Sequence, residues 1–588
     1  MASRRMDLSI VPFQYMDLDY ETDEIRLIRI LPSSTKDDSV HCQLIHTAFN
    51  KAPNYQALSY TWGAKIAPEP IMINGKRLRA TENLLGALKR LRCSQMGDEE
   101  NLLWVDAICI DQSNIPERND QIAKMRTIFQ NAQAVPIWIG AENDNSSLAI
   151  RLAKDLNVRS RNQVIAMLHD TSIHDQLMAL IILFRRQYWW RIWVIQEVAC
   201  AKEAIVLCGD ESISLTELSN TCDIFKREEH LLLSIYLKSS SFVRTLTTGG
   251  PKGLQVSRYQ VPDAIEPPLF ELLLSHKSKK SSDPRDKVYA LVGISNSRNY
   301  FGQINYSLSV RHVYTHTARH IIHHSQRLDI ICVNQKAPDG DDLPSWVPNW
   351  TRPHRNQQPT IVGLQHSEPH FMASGDSHAN VQFLQDGYVL RTPGVIIDKV
   401  KKAGSSFRRQ LNSKENNGRG LKVLQEWWNI IVSKKGHSLE EQGAFCRTIS
   451  CGNWTFKDDI EYAVRMKAIA TTLSEQRSQL GFPLSPSSTT GECLNEKERL
   501  ALLISACLTM NRRRLIVSNT GIIGLGPLDS SKDDLICILP GCRFPVILRR
   551  TDDHHTLLGE AYIDGFMYGE GMRGVENGLY DLETFKIH

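Results

Sequence analysis

YQALSYTWG (residues 55–63) is the stretch that decides how this chain is read. Residues 57–60 form an apolar strand that runs into the polar and aromatic group Ser59, Tyr60 and Trp62 and stops at Gly63. LWVDAICIDQ (103–112) repeats the pattern and carries Asp106, Asp111 and Gln112 on or after a second apolar strand, read over 102–110. WWRIWVIQEVACA (189–201) reads as an amphipathic helix over 189–202 with one carboxylate, Glu197, in its middle. Strands that deliver polar groups to their C-terminal ends are how open α/β sheets build ligand sites. A glutamate inside an apolar helix has a pKa that burial can move.

Around these stretches, elements follow in regular succession. Residues 24–31 alternate as a strand, and 40–46 form another. IMINGKRLR (71–79) reads as a hairpin, because Asn74-Gly75 supplies the two positive-φ residues of a tight turn. Thr81 can cap a helix over 82–91, and 120–132 is a helix with Ile122, Met125, Ile128 and Phe129 on one face. Residues 134–139 and 204–208 are strands separated by a long helical stretch from 147 to 184. Strand–helix alternation at this spacing predicts βαβ units and a mainly parallel sheet, an α/β fold over residues 1–215. Helical patterns dominate the middle, 216–350. Residues 351–588 read as mixed α/β: polar 351–386 as loop or edge strand, helices over 421–432 and 459–473, mobile connections at 404–420 and 475–492, and a strand-rich end from 515 to 587.

The chain has 588 residues, too many for one hydrophobic core, so two to four domains are expected. Sixty-nine basic residues against 65 acidic ones leave a net charge of +4 with no basic stripe, which disfavours nucleic acid as a partner. The first residues lack the apolar core of a signal peptide, and the longest apolar run, 177–184, falls far short of the ~20 residues that span a bilayer. A soluble, cytoplasmic protein without a membrane span is expected. The 13 cysteines are scattered singly, which argues for a reducing compartment and against a disulfide framework.

The stretches 55–63, 103–112, 117–140 and 189–209 resemble, in order and spacing, the fungal heterokaryon-incompatibility (HET) domain. DPRDKVYALVGI (283–294), PSWVPNW (344–350) and GEAYIDGFMYGE (559–570) resemble the usual tail of such proteins. The resemblance implies a role in fungal non-self recognition ending in programmed cell death, with an incompatibility partner that the sequence does not identify. A more distant resemblance is to TIR domains, which implies a TIR/flavodoxin-like sheet. In enzymatic TIR domains a glutamate on a Trp-containing helix is needed to cleave NAD between nicotinamide and ribose. Glu197 stands at the matching place, so the resemblance implies catalysis by Glu197, NAD as substrate rather than cofactor, and activity that depends on self-association into a homo-oligomer.

The residues are chemically suited to that reaction. The nicotinamide of NAD already carries positive charge, so its departure needs no general acid, and one carboxylate can stabilise the oxocarbenium-like ribose or grip its hydroxyls. Ser59, Tyr60, Trp62, Asp106, Asp111 and Trp193 are the candidate binding groups. There is no GxGxxG or Walker motif. A plainer reading stands beside each assignment. Glu197 could be a structural carboxylate paired with Arg191 or Arg118; Trp62, Trp104, Trp138 and Trp193 could be core; Asp106 and Asp111 could close turns. DPRDK (283–287) reads as a turn and helix cap with local ion pairs. His312, His316, His320 and His324 lie on one helix face, yet residues spread over so many turns cannot share one ion, so no metal is assigned. Two functions remain open: an NAD-cleaving effector, and a non-catalytic HET module acting by self-association or partner binding. The region 311–588 could serve either as a sensor or an autoinhibitory part.

Overall fold

The computed structural model describes residues 11–33, 35, 39–94, 102–236, 240–255, 267–299, 301–333, 343–351, 361, 371–408, 416–431, 439–452 and 506–588. They fall into two compact units, Met1–Ser309 and Val310–His588. The helix expected over 459–473 and the connection expected over 475–492 lie outside the described residues.

Among the described residues the first unit holds ten strands: β1 (Glu24–Ile30), β2 (His41–Ala48), β3 (Tyr55–Ala57), β4 (Ser59–Tyr60), β5 (Ile71–Ile73), β6 (Lys76–Leu78), β7 (Leu102–Trp104), β8 (Val135–Trp138), β9 (Ala204–Cys208) and β10 (Glu211–Ser214). They form two sheets, ordered β3-β7-β1-β2-β5-β6 and β10-β9-β8-β4. The expected strand at 57–60 is split at Leu58 and serves both. β3 pairs in parallel with β7, and β4 pairs in parallel with β8, which is parallel to β9. Residues 55–60 are thus a seam: Leu58 N–H donates to Trp104 O at 2.9 Å on one side, while Ala57 N–H donates to Ala134 O at 3.1 Å on the other. Across the seam the parallel strands run β7, β3/β4, β8, β9.

A mainly parallel sheet therefore describes the centre, while the flanks are mixed: β2 is parallel to β5, but the other flanking pairs are antiparallel. β1 is antiparallel to both β2 and β7, β6 to β5, and β10 to β9. The physical reason is connection length: parallel neighbours need a crossover of a dozen or more residues, and the short links 31–40 and 209–210 permit hairpins instead. The β5–β6 hairpin forms as expected, with Asn74 and Gly75 at φ 50° and 76°.

Two expected elements are shorter than the pattern suggested. The strand over 102–110 ends at Trp104, and Asp106–Cys109 makes one helical turn. Ile108, Cys109 and Ile110 are buried all the same, and a short apolar run looks alike as strand or buried helix. The helix expected over 189–202 is a 3₁₀ turn, Gln187–Trp190, followed by a helix of six residues, Val194–Ala199. Arg191 is extended and bridges Lys280: Ile192 N–H donates to Lys280 O at 2.9 Å, and Lys280 N–H to Trp190 O at 2.5 Å. Backbone groups committed to that bridge cannot join a helix, so the helix starts after it.

Helices Glu82–Ser94 and Ile115–Asn131 make the first two crossovers. The second is started by Asn114, whose side chain accepts from Glu117 N–H, and by Pro116 in its first turn. It is tied to β1 by a buried ion pair. Arg26 gives Nη1 to Glu117 Oε1 at 2.6 Å and Nη2 to Oε2 at 3.1 Å, with both residues at most 1% exposed. Helices Leu215–Arg227, Leu269–Ser275 and Asp286–Val292 follow in the expected helical middle region.

In the second unit helix Val310–Ser325 precedes, among the described residues, nine strands: β11 (Gln382–Leu384), β12 (Val389–Ala403), β13 (Arg513–Ser518), β14 (Ile523–Pro527), β15 (Leu535–Ile538), β16 (Val546–Thr551), β17 (His554–Glu560), β18 (Tyr562–Ile563) and β19 (Leu582–Ile587). β12 is long enough to pair with both β19 and β15, which closes β12, β15, β16, β17 and β19 into a ring. β13, β14 and β18 extend from it. Val395, Val400, Ile516, Ile536, Ile538, Ile547 and Ile563 are in its core. The strand-rich end expected at 515–587 is present, and within 351–386, expected as loop or edge strand, β11 pairs with β12 alone.

Candidate functional site

β4 ends at the chain turn that carries Thr61, Trp62 and Gly63, and β7 ends at Val105 and Asp106. Both ends lie on the same side of the parallel centre, the side where open α/β sheets collect ligands. The segment 187–199 packs there. Ser59, fully buried, donates its hydroxyl to Glu197 Oε2 and lies 2.7 Å from the Tyr188 hydroxyl. Tyr60 accepts at its backbone oxygen from Arg191 Nη1. Trp62, 39% exposed, donates its indole N–H to Asp106 Oδ2 at 2.6 Å.

The electrostatics follow from burial. Glu197 is 3% exposed, and loss of hydration pushes its pKa up to about 7, against the opposing pull of the Arg191 charge and the Ser59 hydrogen bond. Asp106 is raised by the same cause, with Arg191, Trp62, the Ala107 N–H and Tyr60 opposing. Burial and the adjacent Asp106 keep the Tyr60 hydroxyl protonated. Asp286, 8% exposed, is pushed up by burial to about 6; its Oδ1 accepts the Tyr306 hydroxyl at 2.6 Å, and it also takes a hydrogen bond from the Trp193 side chain. One guanidinium, Arg191, thus acts on three carboxyls, the buried Glu197 and Asp286 and the half-buried Asp106. A carboxyl with its pKa near 7 can hold or release a proton at physiological pH, and once ionised in this dry setting its field on a bound cation is strong.

Six of the seven candidate residues gather here: Ser59, Tyr60, Trp62, Asp106 and Glu197 directly, and Trp193 one hydrogen bond further out. Asp111 stands apart. Its Oδ1 accepts from Ser113 N–H at 3.0 Å and from the Ser113 hydroxyl at 2.6 Å, closing an Asx turn, and its own N–H donates to Glu117. Trp104 is fully buried against Phe129, and Trp138 donates to Asn83 at 2.9 Å from a buried position. Arg191 is the cation beside Glu197; Arg118 lies over the Tyr306 ring, 4.4 Å from its centroid. Sequence reading missed Tyr188, Asp286 and Tyr306. Asp283 and Arg285 form the expected local ion pair at 2.6 Å, and that pattern hid the different direction taken by Asp286.

His312, His316, His320 and His324 stack along helix Val310–Ser325 with ring centroids 5.7–6.5 Å apart. Burial lowers the pKa of His320 to about 4, so it stays neutral near pH 7. No group of three or more metal-ligating residues occurs among the described residues. Nor is any helix among them long and apolar enough to cross a membrane, and none of the cysteines among them is in a disulfide.

Residues 55–197 match the family model of the heterokaryon incompatibility protein (HET), and residues 495–577, a stretch that holds β13 to β18, match the Het-6 beta-barrel domain. No solved structure matches the chain. The chain is similar to heterokaryon incompatibility protein 6, OR allele, of Neurospora crassa, 22% identical over an aligned length of 679 and covering 96% of each chain. Two domain matches in one order, with a relative aligned along nearly the whole chain, lead to one conclusion: this chain carries a HET-type domain at 55–197 and a Het-6-barrel-type domain at 495–577.

Proposed function

We propose that this protein is a heterokaryon-incompatibility effector whose HET domain cleaves NAD at the nicotinamide–ribose bond. The HET match and the similarity to the Neurospora protein support the incompatibility role. The observation that carries the chemistry is Glu197: a buried carboxyl with its pKa raised to about 7, held by Ser59 at the C-terminal end of a parallel strand. The spatial order of the parallel strands β7, β3/β4, β8 and β9 is second, first, third, fourth in chain order, which supports a TIR/flavodoxin-like centre.

In the reaction, the bond from ribose C1′ to the nicotinamide nitrogen breaks and its electron pair returns to the ring, which leaves neutral. Ionised Glu197 stabilises the positive charge that develops on the ribose. Water adds at C1′ and gives up a proton to Glu197 or solvent. Trp62, part exposed beside Asp106, offers a stacking face for a base. Self-association would order this site, so the rate per molecule should rise with protein concentration. Nicotinamide release by the full chain, lost in Glu197→Gln, tests the reading. A protein that kills without consuming NAD would favour the non-catalytic reading, in which the HET surface binds a partner.

A further inference from the structure

The stretch that matches the HET family ends at Glu197, yet much of what holds the Glu197 helix in place comes from residues 276–306. Lys280 pairs with the backbone on both sides of Arg191. Lys279, 7% exposed, donates Nζ to Trp189 O at 2.7 Å. Gly293 lies so close to Gln196 that a Cβ there would sit 2.7 Å from Gln196 Oε1, and its oxygen accepts from Arg126 at 3.0 Å. Asp286 lies at the centre of this clamp. It takes the hydroxyl of Tyr306 and the Trp193 side chain, and it shares the field of Arg191 with Glu197 and Asp106.

We propose that Asp286 is a positioning residue of the Glu197 site: it fixes the Trp193 indole and draws on Arg191 in competition with Glu197, so the working unit spans residues 55–306 and not the family-matched 55–197 alone. The inference rests on Glu197 as the acting carboxylate. An ionised Asp286 offsets part of the Arg191 charge, and the charge-free isostere leaves that guanidinium to Glu197 and Asp106, favouring ionised Glu197. The other charged and titratable groups facing Asp286 are Arg118 and Arg285, both over the Tyr306 ring, with Asp283, Tyr289 and Tyr306. The pKa of Asp283 is lowered, so it stays anionic, and burial raises the Tyr289 and Tyr306 hydroxyls, which stay neutral.

Two measurements on the full chain separate this proposal from the functional reading. The first is the pH profile of nicotinamide release. Asp286→Asn should move its acid limb down by about one pH unit, and Asp286→Glu should restore it. The second needs no NAD: tryptophan emission titrated from pH 4.5 to 8. Wild type should show a transition near pH 6 that is absent in Trp193→Phe and in Asp286→Asn. Tyr306→Phe, a variant that removes one hydroxyl, should move that transition upward, because the hydroxyl favours the ionised carboxylate. A wild type that releases no nicotinamide sinks the functional reading and leaves the emission test standing. An emission transition that survives unchanged in Trp193→Phe, or that Tyr306→Phe leaves in place, overturns the role of Asp286. So does an Asp286→Asn profile that superimposes on wild type.

Discussion

Ser59 and Glu197 stand 138 residues apart in the chain and share one buried hydrogen bond, with the serine hydroxyl as donor. The bond joins the seam strand of the sheet to the short helix that follows the Arg191–Lys280 bridge. It has a consequence for stability. Glu197 titrates at about 7 in the folded chain, above its ordinary 4.5. Below pH 4.5 the carboxyl is neutral whether folded or not. Between pH 4.5 and 7 the unfolded chain ionises freely while the folded state holds the proton in its apolar setting, so stability falls across that window and levels off as pH passes 7. Glu197→Gln escapes that loss, so its stability relative to wild type should improve by about 2 to 3 kcal/mol between pH 5 and pH 8. Urea unfolding at the two pH values checks this; an equal difference at both would contradict the assigned burial.

Ser59→Ala should act in the opposite direction on chemistry. The hydroxyl favours ionised Glu197, so its loss moves the acid limb of nicotinamide release up by about one pH unit and cuts the rate at pH 7 by severalfold. Tyr188→Phe removes a hydroxyl that meets Ser59, not the carboxylate, and should shift the limb less. Comparison of the two pH profiles reads the difference.

Asp106 and Asp111, five positions apart, should behave differently. Asp111→Ala loses an Asx turn, costs about 1 kcal/mol in unfolding and leaves nicotinamide release at the wild-type rate. Asp106→Asn removes a negative charge that raises Glu197, so the acid limb should move down. A loss of activity in Asp111→Ala at unchanged stability would return that residue to the site.

The pair Arg26 and Glu117 should be a stability determinant of the first unit. Arg26→Met leaves Glu117 buried beside an apolar chain and should cost about 3–5 kcal/mol by urea unfolding. Arg26→Met with Glu117→Leu should recover most of that cost, since neither charge is then left alone.

Much of the site was legible because its parts are local. The polar ends of apolar strands marked Ser59, Tyr60, Trp62 and Asp106, and a lone carboxylate among apolar residues marked Glu197. The hairpin at Asn74-Gly75 followed from turn chemistry. What escaped depends on distant pairing. The backbone bridge from Arg191 to Lys280 shortens the helix, and nothing within 189–202 announces it. Leu58 gives no sign that the strand changes sheets there, because an apolar residue suits either. Asp286 sits in a stretch whose spacing suits a helix cap, and only the fold turns it toward Trp193. The closed ring in the second unit depends on the two partners of β12, which alternation along one strand cannot reveal.

The most direct test is nicotinamide release from NAD by the concentrated full chain, wild type beside Glu197→Gln, with folding of both verified by unfolding curves. The account predicts release by wild type that steepens with protein concentration and is lost in the variant. A folded, self-associated wild type that leaves NAD intact, or a Glu197→Gln protein that cleaves it at the wild-type rate, would contradict it.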